Sequence, residues 1–397
     1  MAAATPGRVR TGLEVLLGSG AALLKKKQYG LVCNAASVDG SLRHAAELLL
    51  HAGEGRLAGL FGPEHGVTAE AQDMAPVEGA TDARTGLPVH SLYGAGEDSL
   101  APPSGSLRGL DLLVFDLQDV GARYYTFTAT MAAAMEACAR DGVGFVVLDR
   151  PNPLGGLEAE GNIVREPFRS FVGRSPLPVR HGMTCGELAR FFNEVLEIHC
   201  SLTVVPMEGW RRDLWFDGTG LPWVPPSPNM PTLDTATVYP GTCLIEGTNL
   251  SEGRGTTRPF EWVGAPYLDP HELSEGLCGR ALPGVTFRPL RFTPAFHKWS
   301  GKSCGGVQLH VTDRSTFKPF LTGLAILSEA RRLAPARFEW RREAYEFVSD
   351  RLAIDLLLGD EGVRHALERG ERVETIQESW QAELSSFQRR SERFHLY

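Results

Sequence analysis

Residues 111–139, DLLVFDLQDVGARYYTFTATMAAAMEACA, contain in succession an apolar run, a polar loop and an alanine-rich segment. The continuous apolar run Asp111–Phe115 is typical of a parallel strand that is buried on both faces. The segment Thr126–Ala139 is rich in alanine and methionine, which favours a helix. A buried strand followed by a helix predicts one repeating unit of a parallel α/β sheet.

The same alternation of apolar runs and amphipathic stretches covers the rest of the first half. Further strands are predicted at Tyr29–Val32, Leu57–Phe61, Gly144–Leu148 and Leu202–Val205, and further helices at Ser41–His51 and Thr184–Glu197. Ser41 is the predicted N-cap of its helix, because serine is a preferred capping residue. Together these elements predict an α/β fold with a doubly wound parallel sheet.

The second half of the sequence has a different character. Residues 210–231 are crowded with tryptophan and proline, which predicts a rigid, loop-rich connection. Beyond it we expect strands at Val285–Phe292 and Gly306–Val311 and a helix at Phe317–Leu333, without strict alternation. We therefore predict an N-terminal sheet domain at residues 1–235 and a smaller α+β domain at residues 236–397.

Composition excludes several classes of function. The chain of 397 residues has a formal net charge of −8, which argues against a nucleic-acid binder but leaves an anionic small substrate possible. Its seven cysteines form no CxxC pair, and a chain of this size needs no disulfides. The first residues lack the apolar core of a signal peptide, and no apolar stretch is long enough to cross a membrane. The sequence thus predicts a soluble, cytoplasmic protein.

Polar residues follow three of the predicted strands, where ligands bind in parallel α/β sheets. These residues are Glu64, His65, Asp116, Gln118, Asp119, Arg123, Asp149, Arg150 and Asn152, and Asn34 follows the first strand in the same way. Glu64 could instead cap a helix, and Asp149 and Arg150 could form a structural ion pair. Because three loops carry such residues at once, we expect them to form one site.

The second half contributes a matching set of polar residues. Asn229 lies in a proline-stiffened loop, and a glycine-rich segment at 239–256 carries Glu246, Asn249, Glu252 and Arg254. Glycines in that segment would allow a ligand to approach the backbone closely. His181 precedes a predicted helix, where a capping role and a ligand contact are equally possible.

Several familiar motifs are absent from the sequence. There is no GxGxxG for a dinucleotide and no GxxxxGK[ST] for a nucleotide phosphate. Neither HExxH nor a zinc-ligand spacing of Cys and His occurs. We therefore expect acid–base chemistry by carboxyl groups, with neither a metal nor an organic cofactor.

The motifs at these loops resemble the bacterial exo-β-N-acetylmuramidase family, formerly known only as a conserved domain of unknown function. They are FGPEHG (61–66), FDLQDVGARYYT (115–126), VLDRPNPLGG (147–156), RHGMT (180–184), PPSPNMP (225–231) and YPGTCLIEGTNLSEGRGT (239–256). The resemblance extends from about Gly12 to the C-terminal residue Tyr397. It implies a Rossmann-like N-terminal domain, a smaller C-terminal domain and a site in the cleft between them.

The resemblance also implies an activity: a glycoside hydrolase that releases N-acetylmuramic acid from the non-reducing end of peptidoglycan fragments, in cell-wall turnover and recycling. Glu64 would be the general acid, with Asp119 or Glu252 as its partner unless the substrate's own acetamido group takes that part. Arg123, Arg150 or Arg254 would bind the lactyl carboxylate of the sugar. Gln118, Asn152, Asn229 and Asn249 suit its hydroxyl and acetamido groups, and Tyr124 or Tyr125 could stack on the ring.

Two readings from other classes remain open at this point. A non-catalytic muropeptide-binding or sensor protein would use the arginine and amide contacts without needing the acid, but Glu64 is present. An amidase or ester hydrolase based on Asp and His would need a nucleophile or metal ligands, and none is evident. The expected substrates are disaccharides or small muropeptides; the oligomeric state cannot be derived from the sequence.

Overall fold

The computed structural model describes residues 7–52 and 55–397. Residues 1–6, which contributed to the expectation about a signal peptide, lie outside the described residues. The first domain is built on a sheet with the strand order β3-β4-β2-β1-β5-β6-β7. Its strands are β1 (Gln28–Cys33), β2 (Arg56–Gly62), β3 (Ala80–Thr81), β4 (Pro88–Ser91), β5 (Leu112–Asp116), β6 (Gly144–Leu148) and β7 (Leu202–Val205).

Helices cover both faces of this sheet. They are α1 (Gly12–Gly18), α2 (Ala45–Leu50), α3 (Phe127–Asp141) and α4 (Cys185–Val195). Alternate residues of β1 enter different cores: Leu31 packs with the residues of α1 and α2, whereas Val32 packs with those of α3 and α4. Because both faces are buried, the strands are continuously apolar. The predicted doubly wound sheet is confirmed, with the two-residue strand β3 as its antiparallel edge.

The second domain has a three-stranded antiparallel sheet in the order β8-β10-β9. Its elements are β8 (Trp262–Ala265), β9 (Val285–Phe292), β10 (Cys304–Val311), α5 (Leu233–Thr242), α6 (Pro270–Cys278), α7 (Pro319–Leu333), α8 (Ala353–Leu358), α9 (Glu361–Glu368), α10 (Val373–Glu378) and α11 (Gln381–Ser391). The sheet is antiparallel and its strands do not alternate strictly with helices, so the predicted α+β class is confirmed. None of the helices in the described ranges has the length and hydropathy needed to span a bilayer.

One predicted helix begins later than expected. Ser41 does not cap α2, which starts at Ala45 with the side chain of His44 as its N-cap. The Asp39 carboxylate accepts hydrogen bonds from the backbone N–H groups of Ser41 and Arg43, and Leu42 has a φ of 63°. These local bonds hold residues 39–43 in a turn, and a left-handed residue cannot continue a right-handed helix.

The glycine-rich segment at 239–256 is also more regular than its composition indicates. Tyr239–Thr242 completes α5, and Cys243–Gly247 forms a 3₁₀ turn directly after it. Gly241 packs so closely on α7 that a Cβ there would lie 1.8 Å from the carbonyl oxygen of Pro319. This glycine therefore allows α5 and α7 to touch, and the 3₁₀ turn that follows α5 carries Glu246.

Candidate functional site

Glu64 lies at the carboxyl end of β2, where the chain turns sharply. His65 and Gly66 both have positive φ, at 71° and 78°, and the turn closes with a hydrogen bond from the Gly66 N–H to the Pro63 carbonyl. The Glu64 side chain is buried and accepts hydrogen bonds from the Met74 N–H (3.1 Å) and the Thr126 hydroxyl (2.7 Å). The carboxyl group is therefore held in one orientation by two separate parts of the chain.

A small cavity lies between the two domains beside this carboxyl group. Its volume is about 40 Å³, room for a few water molecules but not for a sugar ring. Of the residues proposed from the sequence, the cavity brings together Glu64, His65, Tyr124, Tyr125, Asn229, Glu246 and Arg254. Both halves of the chain thus contribute polar groups to one cavity.

Arg254 is the buried cation of this cavity. Its guanidinium lies 3.2 Å from the Asp73 carboxylate, 2.6 Å from that of Glu246 and 3.5 Å from that of Glu252. The Tyr345 hydroxyl donates a further hydrogen bond to Glu246 (2.6 Å). Burial raises the pKa of Asp73, although the charge of Arg254 opposes that shift. The arginine is therefore surrounded by carboxyl groups that would compete with any anionic ligand.

Glu252 lies behind Arg254 and does not line the cavity. Lys298 Nζ is 3.0 Å from one carboxylate oxygen, and His297 Nδ1 is 3.1 Å from the other. Burial opposes ionisation, but Lys298, His297 and Arg254 together hold the pKa of Glu252 well below its usual range. The hydrogen bond to Glu252 in turn raises the pKa of His297. Glu252 is thus an ionised partner of three cationic groups.

Residues 65–79, here called the covering segment, close the cavity on one side. Three consecutive side chains of this segment make contacts across it: Gln72 accepts from Asn229 (2.9 Å), Asp73 pairs with Arg254, and the Met74 sulfur lies 3.8 Å from Arg341 Nη2. Residues 67–79, which make up most of the segment, contain neither helix nor strand. The sequence analysis missed Asp73 because no motif or element marks its position.

Glu346 is the second cavity residue that the sequence analysis missed. It is buried, it lines the cavity with Glu64, and it accepts a hydrogen bond from the Tyr93 hydroxyl (2.9 Å). Its surroundings in the sequence, AYEFVSD, match no catalytic motif. Only the tertiary fold brings this distant glutamate to the end of β2.

Arg123 lies outside the cavity, and its guanidinium is used within the fold. Its two terminal nitrogens donate hydrogen bonds to the carbonyl oxygens of Asn162, Leu177, Leu357 and Leu358, at 2.7 to 2.9 Å. Burial lowers the pKa of Arg123 to about 10. Because Leu357 and Leu358 belong to α8, this arginine connects the loop after β5 to the second domain.

Replacing Arg123 with lysine is expected to lower the free energy of unfolding by about 2–3 kcal/mol, because a single ammonium cannot reach four carbonyls. Chemical denaturation checks this value. The exposed Arg108→Lys serves as the control and should change the free energy by no more than about 0.5 kcal/mol. Equal stability of both variants would contradict the structural role of Arg123.

The other candidates at the strand ends hold the loops together. The Arg150 guanidinium forms a buried ion pair with Asp116, with Nε 2.6 Å from the carboxylate. Gln118 donates to the carbonyls of Asp119 and Pro151, Asn152 to that of Met183, and Asn34 to that of Pro226. Asn249 binds Tyr267, Arg337 and Glu339 in the second domain. None of these five residues lines the cavity.

Asp119 and His181 form a separate buried pair that does not line the cavity. Asp119 accepts a hydrogen bond from the Gly121 N–H (2.7 Å), and His181 Nε2 lies 3.2 Å from the same carboxylate oxygen. The Met183 N–H donates to His181 Nδ1, so the ring proton belongs on Nε2, facing Asp119. This geometry fixes the loop between β5 and α3 against the loop that precedes α4.

The fold and this site together indicate which class of protein this chain belongs to. A parallel α/β sheet presents a buried carboxyl group at its carboxyl edge, and a second domain covers that edge with an arginine and further carboxyl groups. In the described parts of the chain, no group of three or more His, Cys, Asp or Glu side chains is arranged to hold a metal ion. The class is a two-domain α/β enzyme whose candidate chemical groups are carboxyls.

Comparison with protein families narrows the class to one family. Residues 29–234 match the model of the N-terminal domain of the exo-β-N-acetylmuramidase NamZ, and residues 237–397 match the model of its C-terminal domain. The chain therefore belongs to the exo-β-N-acetylmuramidase family, as its motifs had predicted.

Individual relatives agree with this assignment. The chain is 46% identical to the peptidoglycan β-N-acetylmuramidase NamZ of Bacillus subtilis, over 98% of this chain and 92% of the relative. Crystal structures of two DUF1343 family proteins from Bacteroides fragilis are also similar. One has a TM-score of 0.88 at 35% identity and the other 0.75 at 28%, each covering 98% of this chain and 99% of the other.

Proposed function

We propose that this chain hydrolyses the β-glycosidic bond of N-acetylmuramic acid at the non-reducing end of peptidoglycan fragments. Its family and its near full-length similarity to a peptidoglycan β-N-acetylmuramidase make it a glycoside hydrolase. One observation supports assigning the reaction to this cavity between the domains: it is lined by both the buried Glu64 and Arg254. The substrates would be muramic-acid-containing disaccharides or small muropeptides.

Glu64 is proposed as the general acid that protonates the leaving oxygen. Glycoside hydrolysis requires such a proton donor close to the scissile bond. Of the two partners considered from the sequence, Asp119 is engaged by Gly121 and His181, and Glu252 by Lys298 and His297. Neither lines the cavity, so both fit a role in positioning neighbouring groups.

Arg254 is proposed as the group that binds the lactyl carboxylate of the sugar. Arginine matches a carboxylate with two parallel hydrogen bonds, and Arg254 is the candidate among the three arginines that lines the cavity. Its contact with Asp73 supports this role, since a carboxylate already occupies one face of the guanidinium. The substrate carboxylate would take the place of Asp73.

Substrate entry requires the cavity to open. The covering segment is the wall that we propose to move, because Val67–Gly79 lacks regular structure and its contacts with the far side are the side chains of Gln72, Asp73 and Met74. Displacing Asp73 would free Arg254 at the same time as it makes room for the sugar. Closure afterwards would exclude water from the carboxyl groups.

The first test compares para-nitrophenyl β-N-acetylmuraminide with the matching N-acetylglucosaminide, which lacks the lactyl carboxylate. We expect the muraminide to be hydrolysed with a kcat/KM at least about 100-fold higher, because a site that binds a charged group strongly rejects an analogue without it. Release of para-nitrophenol measures both reactions. Equal hydrolysis would contradict the role of Arg254, and muropeptide binding without turnover of a muramyl disaccharide would favour a binding protein.

A further inference from the structure

Glu346 occupies a backbone conformation that ordinary residues avoid. Tyr345 and Val348 exchange two backbone hydrogen bonds of 2.9 Å and so close a tight turn around Glu346 and Phe347. Both central residues are left-handed, with φ of 46° and 68°. A turn with two left-handed central residues favours Asn-Gly. Glu346 and Phe347 therefore adopt a left-handed conformation that neither residue type prefers.

Such strain usually persists where a side chain is needed for function. The turn directs the Glu346 side chain inward, where it is 6% exposed. There it lines the cavity together with Glu64, and it also borders a surface groove lined by Leu100, Phe171 and Arg174. Among the residues that the structure describes, Glu346 is thus common to the cavity and the groove.

The charges around Glu346 are predominantly negative. On the cavity side lie the carboxyl groups of Glu64, Asp73 and Glu246 and one cation, Arg254, and Tyr93 donates a hydrogen bond to Glu346. The ionisable residues on the groove side are Glu97, Asp98, Glu136, Arg169, Arg174 and Glu197. Burial, reinforced by the charge of Glu64, raises the pKa of Glu346 well above its usual value. Of the four carboxyl groups that line the cavity, Asp73 and Glu246 pair with Arg254, whereas no ion pair within the described residues engages Glu64 or Glu346. Two such carboxyl groups in one small cavity are expected to share a single proton.

We propose that Glu346 is the second catalytic carboxyl group, the partner of Glu64 in the hydrolysis; this inference rests on the proposed function. In the unliganded protein the raised pKa of Glu346 favours the shared proton on that residue, so the productive state is reached when the proton moves to Glu64 and leaves Glu346 ionised. Glu64 donates its proton to the glycosidic oxygen as the bond from that oxygen to C1 breaks and the bonding electrons leave on oxygen. Glu346 accepts a proton from the water whose oxygen bonds to C1, so the pair again holds one proton.

The test uses the full-length Glu346→Gln and Glu346→Gly variants, with a muramyl disaccharide as substrate. We expect kcat to fall at least about 100-fold in both, since proton transfer by a positioned side chain typically contributes that much. The Tm of Glu346→Gly should equal or exceed that of the wild type, because glycine relieves the strain of the turn. A gain in stability together with a loss of turnover is not expected of a purely structural residue.

Glu343→Gln is the matched control, an exposed glutamate in the same segment, and it should retain wild-type kcat. Near wild-type kcat in Glu346→Gln or Glu346→Gly would overturn the inference. Failure of both variants to fold would also overturn it, because Glu346 would then be structural. An inactive wild type would instead contradict the proposed function, so the two failures are distinguishable.

Discussion

The Glu64→Gln variant is expected to lose at least about 100-fold in kcat on a muramyl disaccharide while retaining the fold and the ability to bind it. Glutamine has the shape of glutamate: its amide oxygen can still accept the hydrogen bond from the Met74 N–H, and its NH2 group can donate to the Thr126 hydroxyl oxygen. It has no acidic proton to give to the leaving oxygen. Steady-state kinetics measures the loss, and Tm with calorimetric binding shows that fold and binding persist.

A matched control for this variant is Glu70→Gln. Glu70 is an exposed glutamate on the covering segment, so its loss removes one negative charge nearby without changing the cavity. We expect Glu70→Gln to have wild-type kcat. A fully active Glu64→Gln would refute the assignment of Glu64 as the acid. Equal losses in the two variants would point to a general effect of charge.

The Arg254→Ala variant is expected to lower the free energy of unfolding by about 3–5 kcal/mol and to abolish discrimination in favour of the muraminide. Asp73, Glu246 and Glu252 all lie within 3.5 Å of the guanidinium, and removal of the arginine leaves them without this counter-charge. Removing one partner of a buried ion pair lowers the free energy of unfolding far more than removing one partner of an exposed ion pair. Chemical denaturation and the ratio of kcat/KM for the two aryl glycosides measure the two effects.

Arg258→Ala is the control for this experiment. Arg258 lies four residues further along and pairs with Glu261 through a half-exposed side chain, so about 1 kcal/mol or less should be lost. Arg254→Lys adds a second comparison, because it keeps the positive charge but cannot contact three carboxylates at once. If Arg254→Ala were as stable as Arg258→Ala, the carboxylates around Arg254 would not depend on it.

How far the sequence predicts the site is seen in the three loops after β2, β5 and β6. Parallel strands bring their carboxyl ends to one edge, so Glu64, Asp119 and Arg150 were expected to meet there. They do share that edge, but only the loop after β2 has its first polar residue in the cavity. In the other two loops Asp119 and Arg150 turn inward to buried partners, whereas Tyr124 and Tyr125, at the far end of the loop after β5, do line the cavity.

Arg123 and Arg254 illustrate why residue type alone could not separate these roles. Both are buried arginines in polar, loop-rich segments, and both are equally plausible ligands for a carboxylate. The partners differ: Arg123 meets four carbonyl oxygens, whereas Arg254 meets three carboxylates beside a cavity. Those partners come from positions up to 235 residues away in sequence, and local patterns carry no information about them.

The sequence by itself determined the family, the α/β class and most of the strands, and it singled out Glu64 as the proposed acid. These features depend on local apolar periodicity and on motifs that are contiguous in the chain. Only the tertiary structure decided which polar residues face the cavity, and it added Asp73 and Glu346 to the candidates proposed from the sequence. The physical reason is that a buried charge is defined by what surrounds it, and the surroundings of Glu64 come from the covering segment, the 3₁₀ turn after α5 and the turn at Tyr345–Val348.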